Sequence, residues 1–343
     1  MLGVVVHAPK DLRVEPIAPV QPGPGEVQVS IQAGGICGSD LHYFHHGGFG
    51  TVRIKEPMVL GHEIAGIVSA VGAGVTGITP GMRVAVDPSR PCGTCRYCRE
   101  GQPRHCLDMR FLGSAMRFPH VQGGFRQSLT VNAAQAIAIP DTMTMAEAAM
   151  AEPLAVCLHA VNRAGPMLGK RVLVTGCGPI GVLTIMAAKL AGAVEIVATD
   201  LSPFTLDVAL QHGATRVHDV ATKPDALSIY AHDKGTFDVL FEASGAASAL
   251  RGAFDALRPG AVIVQVGIGG EVALPMNVLV AKEFQLRGTF RFDEEFKLAV
   301  ELMGSKRLDV RSLVTETLPV KNATSAFLLA SDRARAMKVQ LRF

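Results

Sequence analysis

Apolar and polar positions follow two different patterns along this chain of 343 residues. In the second half, short apolar runs alternate with longer amphipathic stretches, and this alternation predicts strands and helices in turn. The predicted strands are Arg171–Thr175, Val194–Thr199, Arg216–Val220, Phe237–Ala243, Ala261–Val266 and Gln285–Phe290, and the predicted helices are Pro179–Leu190, Pro203–His212 and Ala246–Leu257. This order is typical of an α/β domain with a doubly wound parallel sheet.

The first part of the chain is richer in β-forming residues. Strands are expected at Gly3–His7, Val27–Ala33, Val59–Val71 and Gly81–Asp87. The third of these is interrupted by Gly61 and Gly66, and the first two are separated by a stretch rich in proline and glycine.

The remaining patterns set the expected domain bounds. A helix is expected from about Ala146, and strand-like segments return late in the chain, at Val310–Leu318 and Met337–Phe343. We therefore predict a β-rich domain over residues 1–150, the parallel-sheet domain over residues 151–290, and a C-terminal segment, 291–343, that returns to the first domain.

Composition narrows the classes of protein that the chain can represent. Hydrophobic residues make up 48% and charged residues 18%, so the chain can bury a sizeable core. The net charge of +3 is too small to indicate a nucleic acid or a membrane surface as the partner. The longest uncharged run, Val172–Ala188, is interrupted by glycines and a proline, and the first residues do not form a signal peptide. We therefore expect a cytoplasmic location.

Four of the seven cysteines lie within a basic, turn-rich lobe at about residues 90–107. Their spacing is Cys92-x2-Cys95-x2-Cys98-x7-Cys106. Four thiolates can surround a tetrahedral zinc ion, and because no position is left open such a site is structural. An iron–sulfur cluster is the main alternative, but its usual motif has a shorter last gap and a proline after the last cysteine. Thiols without a metal remain the third possibility.

A glycine-rich turn opens the parallel-sheet domain. It reads Gly176-Cys177-Gly178-Pro179-Ile180-Gly181, follows a predicted strand and begins a predicted helix, which is the context of a dinucleotide-binding turn. Asp200 ends the next strand, where a carboxylate can accept both ribose hydroxyls and would repel a 2′-phosphate. No Arg or Lys occurs between Glu195 and Gln211, so the sequence favours NAD over NADP.

The stretch Gly34–Tyr43 concentrates chemically active side chains behind two glycines. It contains Cys37, Ser39, Asp40, His42 and Tyr43. The glycines allow the backbone to turn sharply and to approach a ligand closely. This composition indicates a loop that carries a metal ligand beside a proton path, although a single cysteine can equally be a buried packing residue.

Two other places carry candidate groups. Glu152 stands among small apolar residues, and such a carboxylate is seldom buried unless a charge or a metal pairs with it. Between Asp108 and Phe125, Arg110 and Arg117 are interleaved with phenylalanines. This segment is either an ordinary loop that packs its aromatic rings, or a pocket wall that presents a cation to an anionic substrate.

Taken together, these motifs resemble the zinc-dependent medium-chain alcohol and polyol dehydrogenases over essentially the whole chain. The resemblance rests on Gly35–Asp40, Gly61-His62-Glu63, the four-cysteine lobe, Glu152-Pro153-Leu154 and the glycine-rich turn. It implies a GroES-like catalytic domain followed by a Rossmann domain. Other segments, among them Asp108–Phe111, Phe118–Val121 and Ala336–Leu341, resemble a branch that oxidises sugar acids.

The resemblance also implies roles for individual residues. A catalytic zinc would be held by Cys37 and His62, with carboxylates from Glu63 and Glu152, and Glu152 stands where the alcohol branch has a second cysteine. A proton would leave through Ser39 to His42, with Asp40 behind a ligand imidazole. The implied substrate contacts are Tyr43, Arg110, Arg117 and Arg291, the three arginines being unranked candidates for a carboxylate.

The implied activity is NAD-dependent oxidation of a secondary alcohol of a sugar acid by an enzyme with two zinc ions per chain. A polyol 2-dehydrogenase of the sorbitol or xylitol type is the alternative within the family. A zinc-free relative that binds the cofactor without alcohol chemistry is the alternative outside it. A homodimer or homotetramer is the assembly that the resemblance suggests.

Overall fold

Strands dominate the first 150 residues of the computed structural model, which describes residues 1–343. The strands of this part are β1 (Leu2–Ala8), β2 (Asp11–Pro16), β3 (Glu26–Gly35), β4 (Gly48–Phe49), β5 (Val52–Arg53), β6 (Met58–Val59), β7 (Glu63–Val71), β8 (Arg83–Val86), β9 (Ser89–Arg90), β10 (Arg110–Phe111), β11 (Ser128–Asn132) and β12 (Ala136–Ala138). Its helices are α1 (Gly38–His46), α2 (Arg96–Arg99) and α3 (Met145–Ala148).

Helices and strands alternate in the rest of the chain. After α4 (Ala151–Ala164) follow the strands β13 (Arg171–Thr175), β14 (Glu195–Asp200), β15 (Arg216–Asp219), β16 (Phe237–Glu242), β17 (Leu257–Gln265) and β18 (Gln285–Gly288). The helices between them are α5 (Pro179–Leu190), α6 (Pro203–Gln211), α7 (Ala247–Ala253) and α8 (Met276–Ala281). The chain ends with α9 (Glu295–Gly304), β19 (Val314–Pro319), α10 (Ala323–Ser331) and β20 (Lys338–Arg342).

The chain divides into two compact units. One comprises Met1–Glu152, Phe296–Asp332 and Ala336–Phe343, and the other comprises Pro153–Glu295 and Arg333–Arg335. Every helix is too short or too polar to cross a bilayer.

The second unit contains the parallel sheet that the alternation predicts. Its strand order is β15-β14-β13-β16-β17-β18, and every neighbouring pair is parallel. The strands form because continuous apolar runs are buried, as in Leu173, Val197, Leu240 and Ile263 of the core. This is the strand order of dinucleotide-binding domains, in which ligands bind beyond the carboxyl ends of the strands.

The large sheet of the first unit has the order β12-β8-β7-β3-β20-β19, and β11 also pairs with β3. Strand β3 alternates between buried and half-buried positions, with Val27, Val29 and Ile31 facing the core. At its end Gly35 pairs with Glu63 of β7 on one side and with Gln340 of β20 on the other. The start of β7 and the start of β20 therefore lie beside the end of β3.

Several predicted elements differ in detail from the structure. The expected loop after β3 is the helix α1, whose Leu41, Tyr43 and Phe44 are buried. Asp40 in its first turn accepts a hydrogen bond from the backbone N–H of the N-cap residue Cys37. Residues Val59–Val71 form two strands, because Gly61 has a φ of +93° and breaks the ladder. Gly66 does not interrupt β7; its missing Cβ allows the carbonyl of Ser30 to approach.

The other differences concern strand and helix ends. The helix expected to Leu257 ends at Ala253, and β17 already begins at Leu257 because this residue pairs with Phe237. Residues Arg311–Leu313 form a 3-10 turn, so the late strand begins at Val314.

Candidate metal centres and dinucleotide site

The first candidate metal centre lies where three neighbouring strands meet. Strand β3 leads into Cys37, His62 directly precedes β7, and Glu63 is its first residue. The Sγ of Cys37, a ring nitrogen of His62 and a carboxylate oxygen of Glu63 lie within 4.8 Å of one another. These side chains lie close together because the register between β3 and β7 places Gly35, two residues before Cys37, opposite Glu63.

Asp40 connects the two segments that carry these side chains. Its Oδ2 accepts a hydrogen bond from the backbone N–H of Cys37 at 3.0 Å, and its Oδ1 accepts one from Gly61 at 3.1 Å. The same Oδ1 is 3.8 Å from Nδ1 of His62. Asp40 is fully buried, and burial raises the pKa of its carboxyl group although His62 opposes the shift. This separation is longer than a hydrogen bond, so the expected role of Asp40 in orienting the imidazole stays a prediction.

Two glycines make room for this arrangement. A Cβ at Gly61 would lie 2.1 Å from the ring of Phe125, and one at Gly35 would lie 2.1 Å from Oε2 of Glu63. Gly35 is therefore needed for close approach alone, whereas Gly61 is needed both for close approach and for its positive φ.

Lys338 is a member of this cluster that the sequence reading did not identify. Its ammonium group lies 2.8 Å from each carboxylate oxygen of Glu63 and also donates to the carbonyl of Ile36. The side chains of Lys338 and Glu63 are only 3% and 1% exposed. Burial lowers the pKa of the ammonium group, but Glu63 and Cys37 outweigh this and the net shift is upward. A lysine inside an apolar strand is the signal that could have revealed the pair.

The electrostatics of the cluster indicate that a cation belongs there. Burial, followed by the charge of Glu63, raises the pKa of the Cys37 thiol to about 11. Burial also raises the pKa of Glu152 to about 8, and the neighbouring Glu63 and Cys37 add to the shift. Nδ1 of His62 is buried without a hydrogen-bond partner. Thiolate, imidazole and carboxylate are the ligands that zinc prefers, so this donor set fits a zinc ion.

The structure also places the expected proton path and substrate contacts. Ser39 lies near the thiol of Cys37 and lowers its pKa, against the larger upward effect of burial, and His42, three residues further along α1, is exposed on the helix. Tyr43 is buried, and its hydroxyl accepts a hydrogen bond from the backbone N–H of Ala115 at 3.0 Å. A path from Ser39 to His42 and a substrate contact by Tyr43 stay predictions.

The three arginine candidates have different surroundings. Arg117 donates to the carbonyls of Leu107 and Met109 and pairs with Asp108 at 3.2 Å. Arg110 is exposed on β10, next to Phe111, whose ring lies 5.4 Å from that of His62.

Arg291 belongs to the second unit. It has a φ of +55°, and its guanidinium lies 4.7 Å from the centre of the Phe290 ring. Of the two candidates in the first unit, Arg117 is therefore already bound to protein groups and Arg110 is exposed. A substrate contact by any of the three arginines stays a prediction.

The second candidate metal centre is the four-cysteine lobe. The Sγ atoms of Cys92, Cys95, Cys98 and Cys106 lie within 4.8 Å of one another. The Sγ of Cys95 is 3.6 Å from that of Cys98 and 3.9 Å from that of Cys106. Four sulfurs at the usual zinc–sulfur distance in a tetrahedron are about 3.8 Å apart. Hydrogen bonds from backbone and side-chain groups lower the pKa of Cys92 to about 6. The lobe therefore fits a structural zinc ion.

The glycine-rich turn joins β13 to α5 in the second unit. Gly176 has a φ of +87°, and a Cβ at Gly181 would lie 1.8 Å from the carbonyl oxygen of Gly176. Gly178 faces open space apart from one guanidinium 3.8 Å from its ideal Cβ. This open cradle at a helix N-terminus fits a pyrophosphate. Asp200 is attached to the turn, because its Oδ2 accepts the backbone N–H of Cys177 at 2.5 Å.

Glu242 is a second group that the sequence reading missed. It is fully buried at the end of β16 and accepts backbone hydrogen bonds from Ser244 at 2.9 Å and Gly245 at 3.1 Å. Gln265 of β17 donates to it at 2.5 Å. Glu242 therefore links the end of β16 to the end of β17, at the edge of the sheet where a dinucleotide would bind. The residues that donate hydrogen bonds to Glu242 come together only in the folded chain.

Fold and site together define a dehydrogenase with a metal centre and a dinucleotide-binding sheet, and comparison with known proteins agrees. Residues 23–141 match the alcohol dehydrogenase GroES-like domain, and residues 179–305 match the family described as zinc-binding dehydrogenase. The chain is 44% identical to L-idonate 5-dehydrogenase (NAD(P)(+)) of Escherichia coli over 92% of its own length and 91% of that protein. It is 37% identical to sorbitol dehydrogenase of Gallus gallus over 99% of its length and 96% of that protein.

A solved structure of a dehydrogenase is also similar to this chain over its whole length. The crystal structure of L-idonate 5-dehydrogenase from Escherichia coli superposes with a TM-score of 0.95 at 41% identity, covering 100% of this chain and 98% of that one. The chain therefore belongs to the zinc-dependent medium-chain dehydrogenases. The expected GroES-like and Rossmann folds, and the expected family, are confirmed.

Proposed function

We propose that this protein oxidises L-idonate to 5-keto-D-gluconate with NAD, using a catalytic zinc ion. The observation that carries the substrate is the identity of 44% to an L-idonate 5-dehydrogenase, against 37% to sorbitol dehydrogenases. The donor set of Cys37, His62 and the nearby carboxylates supports the proposal of a zinc ion. The glycine-rich turn supports the proposal of a dinucleotide cofactor.

Each residue of the site has a separate role in the proposed reaction. The donor atoms of Cys37, His62 and Glu63 lie together, but both carboxylate oxygens of Glu63 already accept hydrogen bonds from Lys338. We therefore assign Cys37, His62 and the neighbouring Glu152 as the residues that would hold the zinc ion. Glu63 would contribute its charge, with its carboxylate held in place by Lys338. When bound, zinc acts as a Lewis acid that lowers the pKa of a substrate hydroxyl group. Ser39 takes the hydroxyl proton and passes it towards His42, which is exposed and can release it to solvent. Arg110 orients the substrate through its carboxylate.

The substrate assignment is tested by comparing kcat/KM for L-idonate, sorbitol and simple alcohols. We expect L-idonate to be preferred over sorbitol by about tenfold or more, because a cation placed for the carboxylate is left unpaired by a neutral polyol. Arg110→Gln should remove most of this preference and leave sorbitol turnover unchanged, whereas Arg117→Gln serves as the matched control. A preference for sorbitol would instead favour the polyol 2-dehydrogenase, for which the second relative is the supporting observation.

For the cofactor, we propose NAD rather than NADP because Asp200 stands where the adenosine ribose would bind. Asp200→Ala is expected to lower the preference for NADH over NADPH by about tenfold, since a carboxylate no longer repels the 2′-phosphate. The ratio of the two dissociation constants is the measurement, because damage to the turn affects both cofactors alike. An unchanged ratio would contradict the role given to Asp200.

We further propose two zinc ions per chain, one in each candidate centre. A homodimer or homotetramer is supported by exposed apolar side chains near the edge strand β18, namely Ile268, Met276, Val280 and Leu286. A cytoplasmic location is supported by the clustered free thiols, which suit a reducing compartment.

A further inference from the structure

Three residues near the C-terminus belong to a different compact unit from the residues that flank them. Arg333–Arg335 are part of the second unit, whereas Asp332 and Ala336 on either side are part of the first. The excursion is short, and both flanking elements, α10 and β20, belong to the first unit. The contacts of the segment Arg333–Arg335 show which chemical groups it adds to the dinucleotide-binding unit.

Arg333 lies beside the glycine-rich turn. Its carbonyl oxygen accepts a hydrogen bond from Oγ of Ser202 at 3.3 Å, which anchors the backbone of the segment two residues beyond Asp200. Its Nη1 is 3.8 Å from the position that a Cβ on Gly178 would occupy. Gly178 is the second glycine of the turn, where a backbone without a side chain meets a pyrophosphate. The guanidinium therefore borders the turn, while the backbone of Arg333 lies close to the end of β14.

The charge of Arg333 is available for a ligand. The side chain is exposed. Arg333 makes no ion pair with Asp200, whose Oδ1 accepts backbone N–H groups of Leu201 and Ser202 at 2.7 and 3.0 Å and whose Oδ2 accepts that of Cys177. The local sequence from Glu195 to Gln211 has no cation, so Arg333 adds from a distant part of the chain a charge that this segment lacks.

We propose that Arg333 is a cofactor-recognition residue whose guanidinium binds a phosphate group of the dinucleotide. This inference rests on the proposed function, since it concerns the same cofactor. Arginine suits the task because its planar fork can make two parallel hydrogen bonds to phosphate oxygens. NAD offers this chemistry in its pyrophosphate, and NADP offers it there and at the ribose 2′ position.

The experiment is a fluorescence titration of the full-length, zinc-loaded protein with NADH and with NADPH. Arg333→Gln is expected to raise the dissociation constant by about tenfold or more, because a charge-assisted contact is lost. Arg333→Lys should recover part of the affinity. Arg335→Gln is the matched control, since it removes the same charge from the same exposed segment and should change binding less than about twofold.

The two cofactors identify the phosphate. Equal weakening of NADH and NADPH binding assigns Arg333 to the pyrophosphate, and selective weakening of NADPH assigns it to the 2′-phosphate; either result supports the proposal. Unchanged binding in Arg333→Gln, or an equal effect in Arg335→Gln, would overturn it while leaving the proposed function intact. If the wild-type protein bound neither dinucleotide, both the proposed role of Arg333 and the proposed function would be contradicted.

Discussion

Replacing Cys37 with serine is expected to remove the catalytic zinc ion and to lower kcat/KM by about 10³-fold or more, while the chain stays folded. The thiolate is the softest ligand of the centre, and serine offers a weaker, protonated oxygen in its place. Loss of the ion removes several kcal/mol of transition-state stabilisation, which corresponds to about three orders of magnitude in rate. The measurements are zinc content per chain by elemental analysis, steady-state kinetics and circular dichroism.

The two candidate centres provide the control for this variant. Cys95→Ser affects the structural lobe and is expected to reduce thermal stability before it affects chemistry. Cys157→Ser alters a buried thiol that donates to the carbonyl of Ile180, away from both clusters, and should keep the full zinc content. Full activity together with full zinc content in Cys37→Ser would rule out the proposed ligand set. Active wild-type protein without zinc would favour the zinc-free alternative.

Replacing Lys338 with methionine is expected to lower the free energy of unfolding by about 3–5 kcal/mol, the usual cost of leaving one partner of a buried ion pair alone. Methionine keeps the approximate length of the side chain, so the loss reports the charge rather than a cavity. Without Lys338, the carboxylate of Glu63 remains among Cys37, Asp40 and Glu152 with no cation from the protein. Chemical denaturation of the zinc-loaded protein measures the loss.

The double variant Glu63→Gln with Lys338→Met completes a thermodynamic cycle. It should recover most of the lost stability, because no unpaired charge is then buried. Arg13→Gln, which breaks an exposed pair with Asp11, is the control and should leave stability within error. Zinc content should persist in Lys338→Met, since Lys338 positions a carboxylate and does not hold the metal. A stability loss no larger than that of the control would refute the role of the pair.

The parts predicted correctly from the sequence are those encoded over short distances. The glycine-rich turn combines conformational and spacing requirements within six neighbouring residues, and the four cysteines need only one short lobe to approach one another. The parallel sheet follows from the alternation of apolar runs and amphipathic stretches. Helix α1 was missed because the glycines and polar groups around Cys37 are typical of a loop, while its stability depends on buried contacts of Leu41 and Phe44.

The sequence by itself determined the family, the two fold types, the approach of the four cysteines and the strand, turn and helix around Gly176–Gly181. Only the tertiary structure decided the pairing of Lys338 with Glu63, the burial of Glu242 among the donors of two strands, and the place of Arg333 beside Gly178. The physical reason is separation along the chain. Lys338 and Glu63 are 275 residues apart, and only the register of β20 and β7 on either side of β3 brings their charges together.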